Sequence, residues 1–215
     1  MASLVTGGAG FIGSSLVDYL MERGEAVHVL DNLSSGDLGN IDRWAKHPDF
    51  NFYNGDLLNP DDILPALKGC ETVYHLAANP EVQSSKASPQ DHFDQNILAT
   101  YNLLEAIRLS GKVKSLIFAS TSTVYGEPSV IPTPESYGPM KPISHYGASK
   151  LACEALISSY ASMYGVRCIL FRLANVIGGR SNHGVIYDFV HKLRADPLRL
   201  EVLGDGSQSK SYLFI

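Results

Sequence analysis

The sequence predicts an α/β fold, a doubly wound parallel sheet with helices on both faces. Three observations carry that expectation. Short apolar runs alternate with helical patterns along most of the chain. A glycine-rich turn, TGGAGFIG at Thr6–Gly13, sits between the first apolar run and the first helical pattern. The 215 residues are 45% hydrophobic and 18% charged, an ordinary globular balance that builds a core without disulfides or metals.

Taken in order, residues 2–6 (ASLVT) read as a strand and 11–23 as a helix. Residues 26–30 (AVHVL) and 51–53 are again strand-like. A short helix follows Pro60, then a strand at 72–76 (TVYHL). Across 90–110, Phe93, Ile97, Tyr101, Leu104 and Ile107 recur at helical spacing. Residues 115–119 form a strand, 147–164 a helix and 167–172 a strand. A helix near 185–195 and a short strand at 200–203 complete the pattern. Residues 126–145 carry five prolines, which exclude a helix there; long loops in compact domains are often functional. The last residues, Tyr212–Ile215, are an apolar strand-like run with no evident partner, which predicts a chain that stops inside a second lobe.

A formal net charge of -5 gives no general attraction to nucleic acid or to an anionic membrane. No apolar run approaches the roughly 20 residues of a membrane span. No basic segment followed by a long apolar run marks a secretory signal. Cys70, Cys153 and Cys168 show no metal-ligand spacing and read as reduced thiols of a cytoplasmic protein; no metal is expected.

The glycines carry the first functional signal. Gly8, Gly10 and Gly13 satisfy G-x-G-x-x-G, and Gly7, Gly10 and Gly13 equally satisfy G-x-x-G-x-x-G. Such a turn lets a pyrophosphate approach the backbone at the positive end of the following helix, and Gly13 lets that helix lie close to the sheet. Asp31, about 20 residues on, stands where a ribose-binding carboxylate is expected; it would repel a 2′-phosphate and so favour NAD over NADP. Tyr146 and Lys150 share one helix face in YGASK. A free phenol has a pKa near 10, and two close cations are expected to favour the phenolate. Lowering that pKa by about three units takes about 4 kcal/mol. Strand 115–119 runs into Ser120, Thr121, Ser122 and Thr123, where a hydroxyl can hold a substrate oxygen or simply terminate the strand.

Together these features resemble the extended short-chain dehydrogenase/reductase family, and within it nucleotide-sugar epimerases of the UDP-glucose 4-epimerase type. TGGAGFIG, DNLSSG, GDL at Gly55–Leu57, YHLAA, QNILAT around Asn96, ASTSTVYGE, YGASK and RLANVIG occur in the family's order. The resemblance implies a Rossmann-like NAD-binding domain over 1–175 and the beginning of a substrate-binding lobe over 176–215, with most of that lobe missing. It implies that Gly7, Gly10, Phe11, Ile12 and Gly13 surround the pyrophosphate, and that Asp31, Asn32, Ser35 and Gly36 hold the adenosine ribose and its phosphate. Asp56 and Leu57 would contact adenine, and Leu76, Ala77, Ala78 and Asn96 would line the central channel. Thr121, Tyr146 and Lys150 fall at the catalytic positions, with Tyr146 and Lys150 also contacting the cofactor, Lys150 at the nicotinamide ribose. Thr121, Asn175 and Lys210 would meet the substrate, although Lys210 stands where many epimerases place an arginine.

The activity implied is NAD-dependent epimerisation of a UDP-hexose-type substrate at C4 through a transient 4-keto sugar. Related 4,6-dehydratases carry Thr-Asp-Glu where this chain has Thr121-Ser122-Thr123, and UDP-glucuronate decarboxylases usually have Glu at the last of these. The alternatives are a non-catalytic NAD-binding module, or a dehydratase, decarboxylase or reductase activity of the same family. The resemblance also implies a homodimer through helices 90–110 and 147–164.

Overall fold

A parallel sheet forms here because its strands carry apolar side chains toward both faces. The computed structural model describes residues 2–81, 88–181, 184–207 and 209–215. They fall into two units, Met1–Leu173 and Ala174–Ile215. In the first, β1 (Ala2–Thr6), β2 (Ala26–Asp31), β3 (Phe50–Asn54), β4 (Cys70–His75), β5 (Ser115–Thr121) and β6 (Arg167–Leu173) lie in the order β3-β2-β1-β4-β5-β6. Every pairing is parallel. The order reverses beside β1, so a crevice is expected at the carboxyl ends of β1 and β4.

Successive strand residues feed opposite layers. Val5, Val27, Val29 and Phe50 pack with Val17, Leu20 and Met21 of α1 (Phe11–Glu22). Leu4, Leu30, Val73, Leu116 and Phe118 pack on the other face. They meet Ile63 of α2 (Pro60–Leu67), Leu103 and Leu104 of α4 (Ala99–Ser110), and Ile157 of α5 (His145–Tyr164). Local signals set the helix ends. Asn59 accepts a hydrogen bond from Asp61 N with Pro60 following it, and Ser144 accepts one from Gly147 N. Gly165 ends α5 in the left-handed region.

The 90–110 segment is not one regular helix. α3 (Pro89–His92) opens on a Ser88 capping box, residues Phe93–Leu98 make a wide π-helical turn, and α4 follows. The wide turn breaks the 3.6-residue period. Phe93 and Tyr101, expected on the apolar stripe, are therefore 50% and 44% exposed. The buried stripe of α4 is Ala99, Leu103, Leu104, Ala106 and Ile107.

Residues 126–144 are irregular, as their prolines require. The loop returns across Gly126, where a Cβ would stand 1.9 Å from Lys141 O. In the second unit, β7 (Asn175–Ile177) pairs in parallel with β8 (Tyr212–Phe214), and α6 spans Val185–Ala195. Two expectations are corrected there. Residues 200–203 form no strand: Leu203 is exposed, and Gly204 and Gly206 take positive φ directly after it. The final apolar run does have a partner, β7, which at three residues is too short to show a period.

The core also holds a histidine. His75 is 1% exposed, bonded at Nδ1 to Thr6 Oγ1 (2.8 Å) and at Nε2 to Thr100 Oγ1 (2.9 Å). Burial, with the nearby Lys150 charge, pulls its pKa from 6.5 to about 3. Between those values the unfolded chain binds a proton that the native one refuses, so the associated stability is whole above pH 6.5 and lost as pH falls toward 3. From pH 6 to pH 4, urea unfolding of the native protein is expected to lose about 1.4 kcal/mol per pH unit more than His75→Gln.

Candidate active site at the carboxyl edge of the sheet

β1 ends at Thr6, and the chain turns through Gly7–Gly10 into α1. Gly7 takes φ +70, and a Cβ there would lie 2.7 Å from Ala77 N. A Cβ on Gly13 would lie 2.0 Å from Gly7 O, so α1 reaches the turn only without a side chain. A Cβ on Gly10 would meet only Gly7 O, at 3.3 Å, so the turn is otherwise open on that side. No side chain caps α1 at Gly10, which leaves Phe11, Ile12 and Gly13 at a bare helix start suited to an anion.

Asp31 closes one end of this cradle. Its carboxylate accepts from Ala9 N (2.9 Å) and Leu33 N (2.8 Å), tying the glycine turn to the end of β2. Gly36 lies against Ala9 and Asp31, where a Cβ would fall 2.9 Å and 3.0 Å from their atoms. Ser35 is exposed. Asn32 Nδ2 donates to Asp56 Oδ2 (2.9 Å), joining the ends of β2 and β3. Leu57 packs its side chain in the core, so its backbone is what it can offer a ligand.

At the exit of β4, Leu76 N and Ala77 N donate to Thr6 O (3.1 Å) and Thr6 Oγ1 (3.3 Å). Leu76, Ala77 and Ala78 are half-buried. Asn96 is 2% exposed and its amide is committed to the protein. Nδ2 donates to Ser149 Oγ (2.8 Å) and Asn79 O (3.2 Å), and Oδ1 accepts from Asn79 N (2.7 Å). Asn96, expected to line the channel, clamps the β4 exit to α5. Ser149 passes the clamp on, donating to Tyr146 O (2.8 Å).

Thr121 ends β5 and caps the 3-10 turn Ser122–Tyr125; its Oγ1 accepts from Thr123 N and Thr123 Oγ1, both at 3.2 Å. The same Thr121 side chain lies beside the Tyr146 phenol and favours its ionised form. A Cβ on Gly147 would lie 2.9 Å from Thr123 O, so glycine lets α5 start directly against this turn. Lys150, 2% exposed, donates from Nζ to Ala119 O (2.9 Å) and sits 4.5 Å above the Phe118 ring. Burial pulls its pKa down to about 8. Burial pushes Tyr146 up to about 12, opposed by the Thr121 side chain, although part of the residue stays accessible.

Sequence reasoning missed a buried ion pair beside these groups. Glu154, one turn beyond Lys150, receives a two-pronged bond from Arg172 (Nη2 2.7 Å, Nε 3.0 Å) and one from Ser120 Oγ (2.5 Å). The Glu154 spacing was a usable signal, since Tyr146, Lys150 and Glu154 fall at i, i+4 and i+8. His92 was also missed: its ring lies 6.3 Å from that of Tyr146, with a buried Nδ1 that has no partner among the described residues. Asn175 and Lys210 lie in the second unit. Asn175 opens β7 and donates to Ser211 O (3.2 Å), and Lys210 precedes β8, so both stand at one end of that ladder.

Residues 3–215 match the model of the NAD dependent epimerase/dehydratase family. The chain is 38% identical to a putative UDP-glucose 4-epimerase of Methanocaldococcus jannaschii, covering 99% of this chain and 69% of that protein. A crystal structure of a UDP-galactose 4-epimerase is 49% identical with a TM-score of 0.87, covering 100% of this chain and 68% of that one. A dTDP-glucose 4,6-dehydratase of Streptomyces venezuelae, crystallised with NAD, is similar at 31% identity and TM-score 0.90, covering 100% and 68%. The chain thus spans about two thirds of the length of the proteins it matches.

Lys150 burdens the fold below its native pKa, because the unfolded chain holds the same proton more tightly up to pH 10.5. That penalty is complete below about pH 8 and relieved as pH rises toward 10.5. Lys150→Met is expected to be more stable than the native protein by up to about 3 kcal/mol at pH 7, less the lost bond to Ala119. Urea unfolding at pH 7 and pH 10 checks this: the difference shrinks at the higher pH.

Proposed function

The chain belongs to the NAD dependent epimerase/dehydratase family, and on that premise we propose that it binds NAD along the carboxyl edge of its sheet and epimerises a nucleotide sugar at C4. The observation that supports the chemistry is the Thr121 side chain set beside the Tyr146 phenol, one helical turn from buried Lys150.

The residues present fit a dinucleotide. Gly7, Gly10, Phe11, Ile12 and Gly13 leave an open, uncapped helix start for the pyrophosphate. Asp31 keeps carboxylate lone pairs beyond its two backbone bonds; with Asn32, Ser35 and Gly36 it would hold the adenosine ribose and disfavour a 2′-phosphate. Asp56 and the Leu57 backbone flank the adenine position, while Leu76, Ala77, Ala78 and the Asn96 clamp bound the channel between. Lys150 Nζ keeps donors beyond the one given to Ala119 and would bind the nicotinamide ribose.

When bound, NAD supplies the reversible hydride acceptor for a transient 4-keto sugar and is not consumed. Tyr146 Oη takes the C4 hydroxyl proton and returns it, and Thr121 Oγ1 holds the reacting oxygen. A phenol near 12 is a poor base at neutral pH, so positive charge beside it is needed to favour the phenolate. Asn175 and Lys210 would contact the nucleotide diphosphate. Exposed Tyr101 and Leu109 on α4, and Met163 and Tyr164 on α5, support pairing with a second copy.

Dehydration at C5 and C6 is the second reading, favoured by the dehydratase neighbour. It needs an acid and a base next to Thr121, where Ser122 and Thr123 offer hydroxyls, and Thr123 Oγ1 already donates to Thr121. Incubation with UDP-glucose, UDP-galactose and their N-acetyl forms tests the assignment, with products read by NMR. Interconversion at C4 is expected. A 4-keto-6-deoxy product would establish the dehydratase, and NAD binding without turnover a binding module. Tyr146→Phe is expected to lower kcat by roughly 10²–10⁴ while leaving NAD affinity within a few-fold by calorimetry.

A further inference from the structure

The mechanism leaves one buried polar cluster unused, and it adjoins the reacting groups. Arg172 stands directly across the ladder from Ser120, as Leu173 does from Thr121. Its guanidinium is held by both oxygens of Glu154, through Nη2 (2.7 Å) and Nε (3.0 Å and 3.2 Å). The Glu154 side chain is 6% exposed and also accepts from Ser120 Oγ. The remaining prong, Arg172 Nη1, donates to Tyr125 OH (2.9 Å) and to Glu135 O (3.1 Å). The same guanidinium lies 4.9 Å over the Tyr125 ring. Tyr137 meets that ring edge-on at 6.2 Å, and its hydroxyl accepts from Ser129 N (3.1 Å). One side chain thus joins the end of β5, the face of α5, the 3-10 turn and the proline-rich loop.

We propose that Arg172 is a positioning residue: clamped by Glu154, it fixes the Ser120–Tyr125 turn and the 126–144 loop so that Thr121 faces Tyr146. Isolated buried ion pairs add little net stability, because desolvation consumes most of their attraction. What this pair does add is geometry. The planar fork makes bonds in several directions from fixed angles, and no ammonium reproduces that set. Thr121 lies next to Ser120 in β5, and Tyr146 lies two turns before Glu154 on α5. A tilt between strand and helix therefore changes the Thr121–Tyr146 contact directly. The catalytic part of this inference rests on the epimerase reading; the ordering of the loop does not.

Arg172→Lys and Tyr125→Phe test it, each compared with the native protein. The Glu135–Ser136 bond presents the very carbonyl that Arg172 holds. Cleavage there by a glutamyl endopeptidase, followed by mass spectrometry, is expected to accelerate roughly tenfold in Arg172→Lys and about threefold in Tyr125→Phe. In C4 interconversion, kcat is expected to fall roughly tenfold and threefold, with KM and NAD affinity within about twofold. The Tm of Tyr125→Phe is expected within a few degrees of the native value. Unchanged cleavage in both variants overturns the proposal, whether or not the protein turns over. So does a loss of kcat that tracks equal losses of NAD affinity and Tm, which marks a purely structural pin. Should Arg172→Lys fail to fold, Tyr125→Phe decides alone. A native protein that binds NAD and interconverts no sugar refutes the epimerase reading, and the cleavage rates then still decide the positioning role.

Discussion

An ammonium buried over a phenyl ring, with one backbone carbonyl in contact, is the constraint around which this site is arranged. Lys150 is held out of water by Phe118 below it and by Ala119 O at its head, and both come from β5. The strand therefore sets where α5 begins its run across the sheet edge. Burial, together with that same charge, depresses His75, which keeps the imidazole neutral between two threonine hydroxyls. Such a placement opposes folding. Sites that hold a charge in low dielectric commonly trade stability for function in this way.

Around that lysine, polar side chains are committed to backbone rather than left free. Asp31 ties down the glycine turn, Asn96 ties the β4 exit to α5, and Ser149 extends the tie to Tyr146. Asp31 and Asn96 are residues that the sequence resemblance assigns to ligand contact. Their bonds make the edge of the sheet rigid before anything binds, so less ordering remains for a ligand to impose. The wide turn at Phe93–Leu98 serves the same end, because it carries Asn96 within reach of both Asn79 and Ser149.

The sheet was legible because parallel strands buried on both faces read as continuous apolar runs, and because glycine has few other reasons to cluster at Gly7–Gly13. Other features left no comparable trace. A π-helical turn inserts its extra residue without changing composition, so Phe93 and Tyr101 kept a convincing helical spacing while pointing outward. β7 and β8 are three residues each, below the length at which alternation can be counted. Residues 200–203 have strand composition, yet among the described residues they pair with no strand. The Glu154–Arg172 pair spans 18 positions and depends on the register that sets Ser120 against Arg172, which no linear pattern reports. The burial of the Tyr146 phenol left no trace for a different reason. Nearby charges can be counted in a sequence, but the crowding that raises the phenol to about 12 appears only once the chain is packed.

That high value bears on how the site is controlled. A phenol that ionises near neutral pH in the absence of cofactor would be a reactive base exposed to any alcohol. Here burial favours the neutral form of Tyr146, and the Thr121 side chain opposes it. Between Thr121 and Tyr125 the chain offers hydroxyls and valine, with no carboxylate to act in its stead. Positive charge placed beside that phenol would favour its ionised form.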